Sequence, residues 1–409
     1  MKSKSKLLNP IKIMKFGGTS VATESSRALL IGKVKQSVQE GYRVVLVVSA
    51  MGRLGQPYAT DTLLSLLPKG VSETAPERDL IMSCGETISA ALVSSLLNFE
   101  GISSLPLMGF QAGVITDNRH GDANVLRVES EKMLTLLETY KTLVVTGFQG
   151  ISEMGQITTL GRGGSDYTAS VLGVYLDAEI IEIYTDVDGV MTADPRVVKD
   201  AKVLKQVTHS EVYQMAVDGA KVVDHKAVEL AMRANKPLVI KNTFSDEEGT
   251  VIQGIVYDQT GEFIESGSVF TAITAKKDLV LVKCFLTPEH RSLTETMMLT
   301  LEEEGIATDM LNFFTSKKLY VIQAKYLDAA KQVLDRLNVR YETQEGLAKV
   351  TGVGANVRYM PDIVKSIMRA LMIEDYEVYQ TTKTDSTVGC LIDGQTCNEV
   401  VNILHKRFL

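Results

Sequence analysis

The stretch IMKFGGTSVATESS (13–26) places a lysine and two adjacent glycines at the end of an apolar, strand-like run. Adjacent glycines weaken a strand because they carry no side chain and lose the most backbone entropy on ordering. A simple turn would explain the glycines alone. Lys15 beside them, and the Thr19-Ser20 pair that opens a helix pattern, indicate instead that the backbone approaches an anionic ligand. We therefore predict a phosphate cradle, in which backbone N–H groups at a helix start bind the anion.

The composition is that of a globular protein with two or three domains. The chain has 409 residues, of which 45% are hydrophobic and 23% charged. Its longest apolar runs are strand-sized, such as VVLVV (44–48), which predicts no membrane-spanning helix. The basic start MKSKSK (1–6) is not followed by an apolar core of signal-peptide length. These features predict a cytoplasmic protein that does not bind membranes.

Cysteine spacing and net charge exclude several classes of ligand. Cys84, Cys284, Cys390 and Cys397 lack the spacing of metal ligands, so we expect four buried free thiols. The formal net charge of −7 argues against nucleic acid or an anionic membrane as a partner. Anionic small molecules would be repelled by the overall field, so local cations must bind them.

The first 245 or so residues alternate strand and helix patterns, which predicts an α/β structure with a mostly parallel sheet. In such sheets ligands bind at the carboxyl ends of the strands. The predicted strands are 11–16, 42–51, 103–109, 142–149, 179–186 and 237–243, and the predicted helices include 25–41, 61–67 and 76–99.

From about residue 269 the pattern changes to two copies of a β-α-β-β-α arrangement. The first copy begins at LVLVKCFL (279–286) and the second at LAKVTGVG (347–354). We predict two small α+β modules packed together.

Three further stretches carry unusual polar residues. SCGETIS (83–89) places Glu86 in an apolar helix pattern, although a carboxylate on a helix is usually solvated. TLGRGGSDYTAS (159–170) opens an alanine-rich helix, and a helix cap would explain one of its polar residues but not Arg162. YTDVDGVMTADPR (184–196) follows a buried strand and taken alone could be an Asp-rich hairpin. Together they form the parts of a phosphoryl-transfer site that has neither a Walker motif nor a GxGxxG motif.

The order and spacing of these motifs resemble the aspartate kinase family over the whole chain. The motifs are KFGGTSV (15–21), VVSAMG (47–52), GETIS (85–89), GFQG (147–150), TLGRGGSD (159–166), YTDVDGVMTADPR (184–196) and GAKVV (219–223). The resemblance implies a three-layer αβα amino-acid-kinase domain over 1–250. It also implies two ACT modules, over 269–345 and 346–409.

The resemblance further implies ATP-dependent phosphorylation of the β-carboxylate of L-aspartate to 4-phospho-L-aspartate. This is the entry step to lysine, threonine, methionine and diaminopimelate. Two alternatives stay open: another enzyme of the same fold, acting on glutamate, carbamate or a nucleotide, and a catalytically silent amino-acid sensor. The family also implies homo-oligomers through the ACT modules and an amino-acid effector, for which Asp309 in IATDML (306–311) is the candidate residue.

Site roles carry over from the family residue by residue. The catalytic pair would be Lys15 and Asp166, and the substrate ATP would bring Mg²⁺ on its own phosphates, without a dedicated protein metal site. The phosphate-binding residues would be Gly17, Gly18, Ser49 and Ser165. The substrate-binding residues would be Thr60, Glu86, Arg162, Gly163 and Gly164, with Glu86 on the ammonium and Arg162 on the α-carboxylate. The nucleotide-binding residues would be Thr185, Asp186, Asp188, Arg196 and Lys221.

The chain departs from the family pattern at two kinds of position. After GAK it reads VVDHKAVE (222–229), where many relatives carry His-Pro-Arg. In both predicted ACT modules the Pro-Gly before the first helix is missing, as TPEHRSLTE (287–295) and YMPDIV (359–364) show. We expect these departures to affect regulation and assembly more than chemistry.

Overall fold

The computed structural model describes residues 9–254 and 268–409. These residues form two compact units. The first comprises 9–190, 203–216 and 221–254, and the second comprises 191–202, 217–220 and 268–409. The basic segment MKSKSK lies outside the described residues, and the predicted domain boundaries stay predictions.

The first unit is built from twelve strands and eight helices among its described residues. The strands are β1 (Ile11–Phe16), β2 (Arg43–Val48), β3 (Ser104–Leu107), β4 (Val114–Thr116), β5 (Val125–Val128), β6 (Thr142–Thr146), β7 (Gln149–Ser152), β8 (Ile157–Thr159), β9 (Ile180–Thr185), β10 (Gln206–Thr208), β11 (Leu238–Asn242) and β12 (Thr250–Gln253). The helices are α1 (Gly18–Ala22), α2 (Glu24–Gln39), α3 (Thr60–Leu64), α4 (Pro76–Phe99), α5 (Glu131–Thr139), α6 (Gly164–Tyr175), α7 (His209–Val217) and α8 (His225–Arg233).

Eight of these strands form one sheet in the order β10-β12-β11-β9-β1-β2-β6-β3. Every pair is parallel except β11 with β12. Helices cover both faces of a mostly parallel sheet, so both faces of its central strands are buried. Strand β2 (RVVLVV) accordingly has five consecutive buried apolar residues after its arginine. The predicted α/β class with a mostly parallel sheet is confirmed, and the carboxyl ends of β1, β2, β6 and β9 meet at one edge.

A smaller four-stranded sheet, β5-β4-β7-β8, lies in the same unit. Its strands have only three or four residues each, too few for a periodic sequence pattern. The sequence did not predict this sheet, although its strand β8 leads directly into the loop that carries Arg162.

Helix α4 has one buried face, along which both apolar and acidic residues lie. Asp79 and Glu86 are seven residues apart and therefore share that face, and both are buried. By length and hydropathy α4 could cross a membrane, but half of its most apolar window is buried inside the protein. The helix therefore matches the core helix of a globular unit.

The four cysteines are free, as predicted, but the prediction that all are buried is wrong for Cys84. Cys84 lies on the outer face of α4, whereas its neighbours Ser83 and Gly85 are buried. The outer face of α4 also carries the exposed Leu80, so an apolar residue on this helix is not necessarily buried.

The second unit contains a six-stranded antiparallel sheet in the order β14-β15-β13-β16-β18-β17. Its strands are β13 (Ala272–Cys284), β14 (Asp309–Phe313), β15 (Lys318–Gln323), β16 (Tyr341–Val353), β17 (Gln380–Lys383) and β18 (Thr387–Asp393). Its helices are α9 (Arg291–Glu303), α10 (Leu327–Arg336), α11 (Ile363–Ile373) and α12 (Cys397–Phe408). Short 3-10 helices lie at Pro288–His290, Ala324–Tyr326, Ala355–Tyr359 and Gly394–Thr396.

Candidate active site

A cavity of about 290 Å³ opens at the carboxyl edge of β1 and β2 in the first unit. Most of the residues predicted to bind substrate or phosphate line it. The lining residues are Lys15, Gly18, Ser49, Ala50, Gly52, Thr60, Glu86, Phe148, Gly161, Arg162, Gly163, Gly164, Ser165 and Asp166. The structure thus brings together residues from six separate stretches of the sequence.

Lys15 and Asp166 form an ion pair in the wall of this cavity. Lys15 lies one residue before the end of β1, and Asp166 lies in the first turn of α6. Their Nζ and Oδ1 atoms are 2.7 Å apart, and only 12% and 13% of the two side chains are exposed. The other carboxylate oxygen, Asp166 Oδ2, accepts the backbone N–H of Asp224 at 3.3 Å. The lysine ammonium is therefore held at a fixed position.

Two positions at the site require glycine because neighbouring groups lie close to the backbone there. Gly163 precedes α6 with φ of 80°, and a Cβ there would lie 2.4 Å from a carboxylate oxygen of Asp224. A Cβ on Gly18 would lie 2.8 Å from the carbonyl oxygen of Ala50. Gly17 does not line the cavity; its N–H donates to the Tyr184 carbonyl at 3.4 Å.

Glu86 lines the cavity and has one carboxylate oxygen without a hydrogen-bond partner among the described residues. Oε1 accepts the backbone N–H of Ala50 at 3.1 Å, whereas Oε2 is buried without a hydrogen-bond partner among the described residues. Burial raises the pKa of Glu86 to about 7, against the lowering effect of its backbone hydrogen bonds. A buried carboxylate with one free oxygen is suited to bind a ligand cation, because an ammonium would restore the charged form.

Arg162 provides the opposite charge in the same cavity. Its side chain is exposed, and within the described part of the chain it makes no hydrogen bond or ion pair. A planar guanidinium binds a carboxylate through two parallel hydrogen bonds. Glu86 and Arg162 together therefore match an ammonium and a carboxylate on one small molecule.

Hydroxyl groups line the remaining wall. Ser49, which follows β2, donates its Oγ–H to Ser165 Oγ at 3.0 Å. Thr60 begins α3 and also lines the cavity. These hydroxyls can bind the oxygens of an anionic ligand without adding charge.

The residues predicted to bind the nucleotide lie outside the cavity lining. Thr185 ends β9 and Asp186 follows it, and Asp186 pairs with Arg53 at 3.2 Å. Asp188 Oδ1 accepts hydrogen bonds from Asn242 and Ser245. Lys221 is exposed.

Arg196, the fifth residue of the predicted nucleotide set, belongs to the second unit. It binds Asp194 through two hydrogen bonds of 3.0 and 2.7 Å. Its predicted role, like those of the other four, stays a prediction.

Sequence reasoning missed several residues that shape the cavity. Phe148 lines it with φ of 71°, an unusual conformation for a residue with a side chain. Its N–H is held by Thr168 Oγ1 and its carbonyl by Leu160 N–H. The motif GFQG marked this position, but the sequence gives no signal for its backbone conformation. Asp224 was also missed, because it lies in the stretch that departs from the family.

A cavity at the carboxyl edge of a parallel sheet, with a buried lysine–aspartate pair in its wall, fits a small-molecule phosphotransferase. A family model described as the amino acid kinase family matches residues 10–242. Aspartokinase 1 of Bacillus subtilis is 38% identical over 399 residues, covering 97% of this chain and 98% of the relative. An aspartokinase of Geobacillus stearothermophilus is 33% identical and covers 97% of each chain. The chain belongs to the amino acid kinase family and, within it, to the aspartokinases, which are ATP-dependent kinases of aspartate.

Solved structures show the same fold. The structure of E. coli aspartokinase III in complex with aspartate and ADP matches with a TM-score of 0.82 at 23% identity. The match covers 97% of this chain and 99% of that one. The similarity therefore extends through both units.

Proposed function

We propose that the cavity transfers the γ-phosphoryl group of ATP to the β-carboxylate of L-aspartate and so forms 4-phospho-L-aspartate. This is the reaction of the family to which the chain belongs. The observation that carries the assignment to this cavity is the free Oε2 of Glu86 in the same lining as the unpaired Arg162. The product would enter lysine, threonine, methionine and diaminopimelate synthesis, and the enzyme would act in the cytoplasm.

The amino-acid end of the substrate would be held by charge. Glu86 Oε2 would accept the ammonium, and the Arg162 guanidinium would bind the α-carboxylate in a two-pronged contact. The backbone N–H of Gly163, the backbone of Gly164 and the hydroxyls of Ser49, Thr60 and Ser165 would complete the lining, while the Gly164 N–H donates to the Gly161 carbonyl at 3.0 Å. This leaves the β-carboxylate as the free end that faces the phosphoryl donor.

Phosphoryl transfer then needs the β-carboxylate to be positioned against the γ-phosphorus and the negative charge on the transferring group to be neutralised. The β-carboxylate is already ionised near neutral pH, with an ordinary pKa of about 3.9, so no general base is required. Its oxygen forms the new bond to the γ-phosphorus while the bond from that phosphorus to the bridging oxygen breaks, and ADP leaves. Lys15, held by Asp166, would stabilise the negative charge on the transferring group, with Gly17 and Gly18 beside it.

The nucleotide would be held by Thr185, Asp186, Asp188, Arg196 and Lys221. Among the described residues no three His, Cys, Asp or Glu side chains form a metal-binding cluster. A Mg²⁺ ion would take its ligands mainly from the ATP phosphates and water, with Asp166 as the nearby carboxylate. Mg²⁺ supplies charge neutralisation on the phosphates.

An amino-acid effector would bind in the second unit near Asp309. Asp309 Oδ2 is 2.8 Å from the Nζ atom of Lys349, which also lies 2.8 Å from Asp218 Oδ1. The two carboxylates raise the pKa of Lys349 against the opposing effect of its burial, so it stays charged. An effector ammonium must therefore compete with Lys349 for Asp309.

The second unit would also mediate self-association. Strand β14 lies at an edge of the six-stranded sheet and exposes Leu311 and Phe313, and Phe314 directly after it is also exposed. Unpaired strand edges with apolar side chains favour pairing with another chain. Light scattering should give a mass of at least two chains; a monomer at micromolar concentration would contradict this part of the proposal.

The substrate assignment is tested by two substitutions measured against both substrates. Glu86→Gln should weaken L-aspartate binding without weakening ATP, since it removes only the partner of the ammonium. Arg162→Lys should be nearly as harmful as Arg162→Ala, because an ammonium cannot make the two-pronged contact. Equal losses for ATP and L-aspartate in binding titrations would contradict the assignment.

A further inference from the structure

Asp79 is a buried carboxylate that the proposed chemistry does not use. It lies in the first turn of α4, and its exposed fraction is 0%. Oδ1 accepts hydrogen bonds from Thr159 Oγ1 at 2.5 Å and Gly121 N at 3.1 Å. Oδ2 accepts from His120 Nδ1 at 2.7 Å, Thr159 N at 3.1 Å and Gly121 N at 3.2 Å. A carboxylate buried this completely needs such partners, since it loses the hydration of its charge.

These contacts join the two elements that carry the substrate-binding charges. Asp79 precedes Glu86 by seven residues on the same rigid helix and the same buried face. Thr159 ends β8 and precedes Arg162 by three residues. The hydrogen bonds that Asp79 accepts from both the backbone N–H and the hydroxyl of Thr159 therefore fix the start of the Arg162 loop against the helix of Glu86.

The segment 120–122 contacts the Arg162 loop at a second point. Asp122 is adjacent to Gly121, and a Cβ on Gly161 would lie 2.5 Å from Asp122 Oδ1. Gly161 is the residue directly before Arg162. The segment 120–122, held by Asp79 through His120 and Gly121, thus packs against the backbone that presents the guanidinium.

We propose that Asp79 is a positioning residue that sets the distance between Glu86 and Arg162, and with it the fit of the cavity to the ammonium and α-carboxylate of the substrate. This inference rests on the proposed function, because it assigns Glu86 and Arg162 to those groups. It requires that changes at Asp79 act on the amino-acid substrate and not on ATP. A purely structural role would instead lower thermal stability and the active fraction without such a split.

The test compares Asp79→Asn and Thr159→Val with the wild type. In Asp79→Asn an amide N–H₂ replaces one carboxylate oxygen. In either orientation of the amide, this N–H₂ donor faces a backbone N–H donor of Gly121 or Thr159. Thr159→Val removes the hydroxyl that bonds Asp79 Oδ1 and keeps the shape of the side chain. We expect the KM for L-aspartate to rise tenfold or more in both variants, with the KM for ATP within twofold.

The matched control is Asp117→Asn in the same loop. Asp117 accepts hydrogen bonds from Asn124 and Arg119 but does not contact Thr159. It should leave the KM for L-aspartate within twofold. If Asp79→Asn does not fold, Thr159→Val alone decides the matter.

Failure of this inference is distinguishable from failure of the proposed function. A wild type that turns over L-aspartate, together with a Thr159→Val variant whose KM for L-aspartate stays within twofold, would overturn the inference alone. Equal increases in both KM values, or the same split in Asp117→Asn, would also overturn it. A wild type that does not use L-aspartate would overturn the proposed function itself.

Discussion

The ammonium of Lys15 lies 2.7 Å from the carboxylate of Asp166, and the two residues join the end of strand β1 to the start of helix α6. Both elements belong to the rigid frame of the first unit, so the pair needs no rearrangement to present its charge to the cavity. Preorganised charge of this kind stabilises a transition state because it does not have to reorient during the reaction.

Lys15→Ala should therefore lower kcat by about 10²–10³-fold, the scale of removing one preorganised charge stabiliser. The KM values should change less, since the lysine acts mainly on the transferring group. Steady-state kinetics with both substrates check this. Lys236→Ala is the control, because Lys236 pairs with Asp177 at the surface and does not line the cavity. A kcat within a few-fold of wild type, with a steep rise in KM, would show that Lys15 only binds the ground state.

The raised pKa of Glu86 should make the KM for L-aspartate depend on pH. Its pKa of about 7 in the free enzyme means that it is largely protonated below pH 7 and must lose a proton before it can bind an ammonium. The KM for L-aspartate should therefore rise about tenfold for each pH unit below 7, while the KM for ATP does not follow the same curve. Glu86→Gln should remove this dependence. A pH-independent KM for L-aspartate between pH 5.5 and 8 in the wild type would contradict the role of Glu86.

The same pKa predicts how stability changes with pH. Because the folded-state pKa is raised above the ordinary value of 4.5, the folded protein binds more protons than the unfolded chain between about pH 4.5 and 7. The contribution of Glu86 to the free energy of unfolding is thus present at low pH and is lost as the pH rises through about 7. Glutamine does not ionise, so the stability of Glu86→Gln should not fall as the pH rises through about 7. Thermal unfolding at pH 8 should therefore show the variant to be more stable relative to wild type than at low pH.

Gly163 and Gly155 form a matched pair for testing the substrate loop. Both have φ of 80°, so alanine should destabilise either site by roughly 1–2 kcal/mol. A Cβ on Gly163 would also meet Asp224, whereas a Cβ on Gly155 would meet nothing within 4 Å. We expect Gly163→Ala to lose tenfold or more in kcat/KM for L-aspartate and Gly155→Ala to keep its activity. Similar activities for the two folded variants would show that the loop tolerates displacement.

The sequence predicted the main sheet well because its strands and helices have clear local patterns. The predicted strand 11–16 and helix 76–99 coincide with β1 and α4. In the second unit the predictions were less complete, since β16 begins at Tyr341 with the polar run YETQEG, not at Leu347. That run is a strand because it pairs with β13. Such pairing between distant segments leaves no local signal.

In the candidate site too, residues in local motifs were predicted, whereas contacts between distant segments were not. Motifs identified the polar residues that line the cavity, because each motif combines glycines with a charged residue at a strand end. The contacts of Asp79 with Thr159 join residues 80 positions apart, and no local pattern reports them. The φ of Phe148 likewise depends on its hydrogen bonds with Thr168 and Leu160.

Regulation in the second unit is predicted to be weak. Lys349 already pairs with Asp309, and Glu289, His290 and the first residue of α9, Arg291, stand where the resemblance implies Pro-Gly. We expect inhibition by lysine, threonine, methionine or meso-diaminopimelate only at millimolar levels, or with altered effector choice. Inhibition assays with each amino acid check this. Micromolar inhibition by lysine alone, abolished by Asp309→Ala, would show that neither Lys349 nor the missing glycine weakens effector binding.

Phosphorylation of the side-chain carboxylate of L-aspartate in this cavity can be measured directly. ADP release should be measured with Mg-ATP and L-aspartate, L-glutamate, carbamate, a nucleoside monophosphate or no acceptor, with hydroxylamine present to trap an acyl phosphate. The account predicts ADP release only with L-aspartate, matched mole for mole by the hydroxamate of its β-carboxyl group. Equal rates with another acceptor, or no ADP release with L-aspartate, would contradict it.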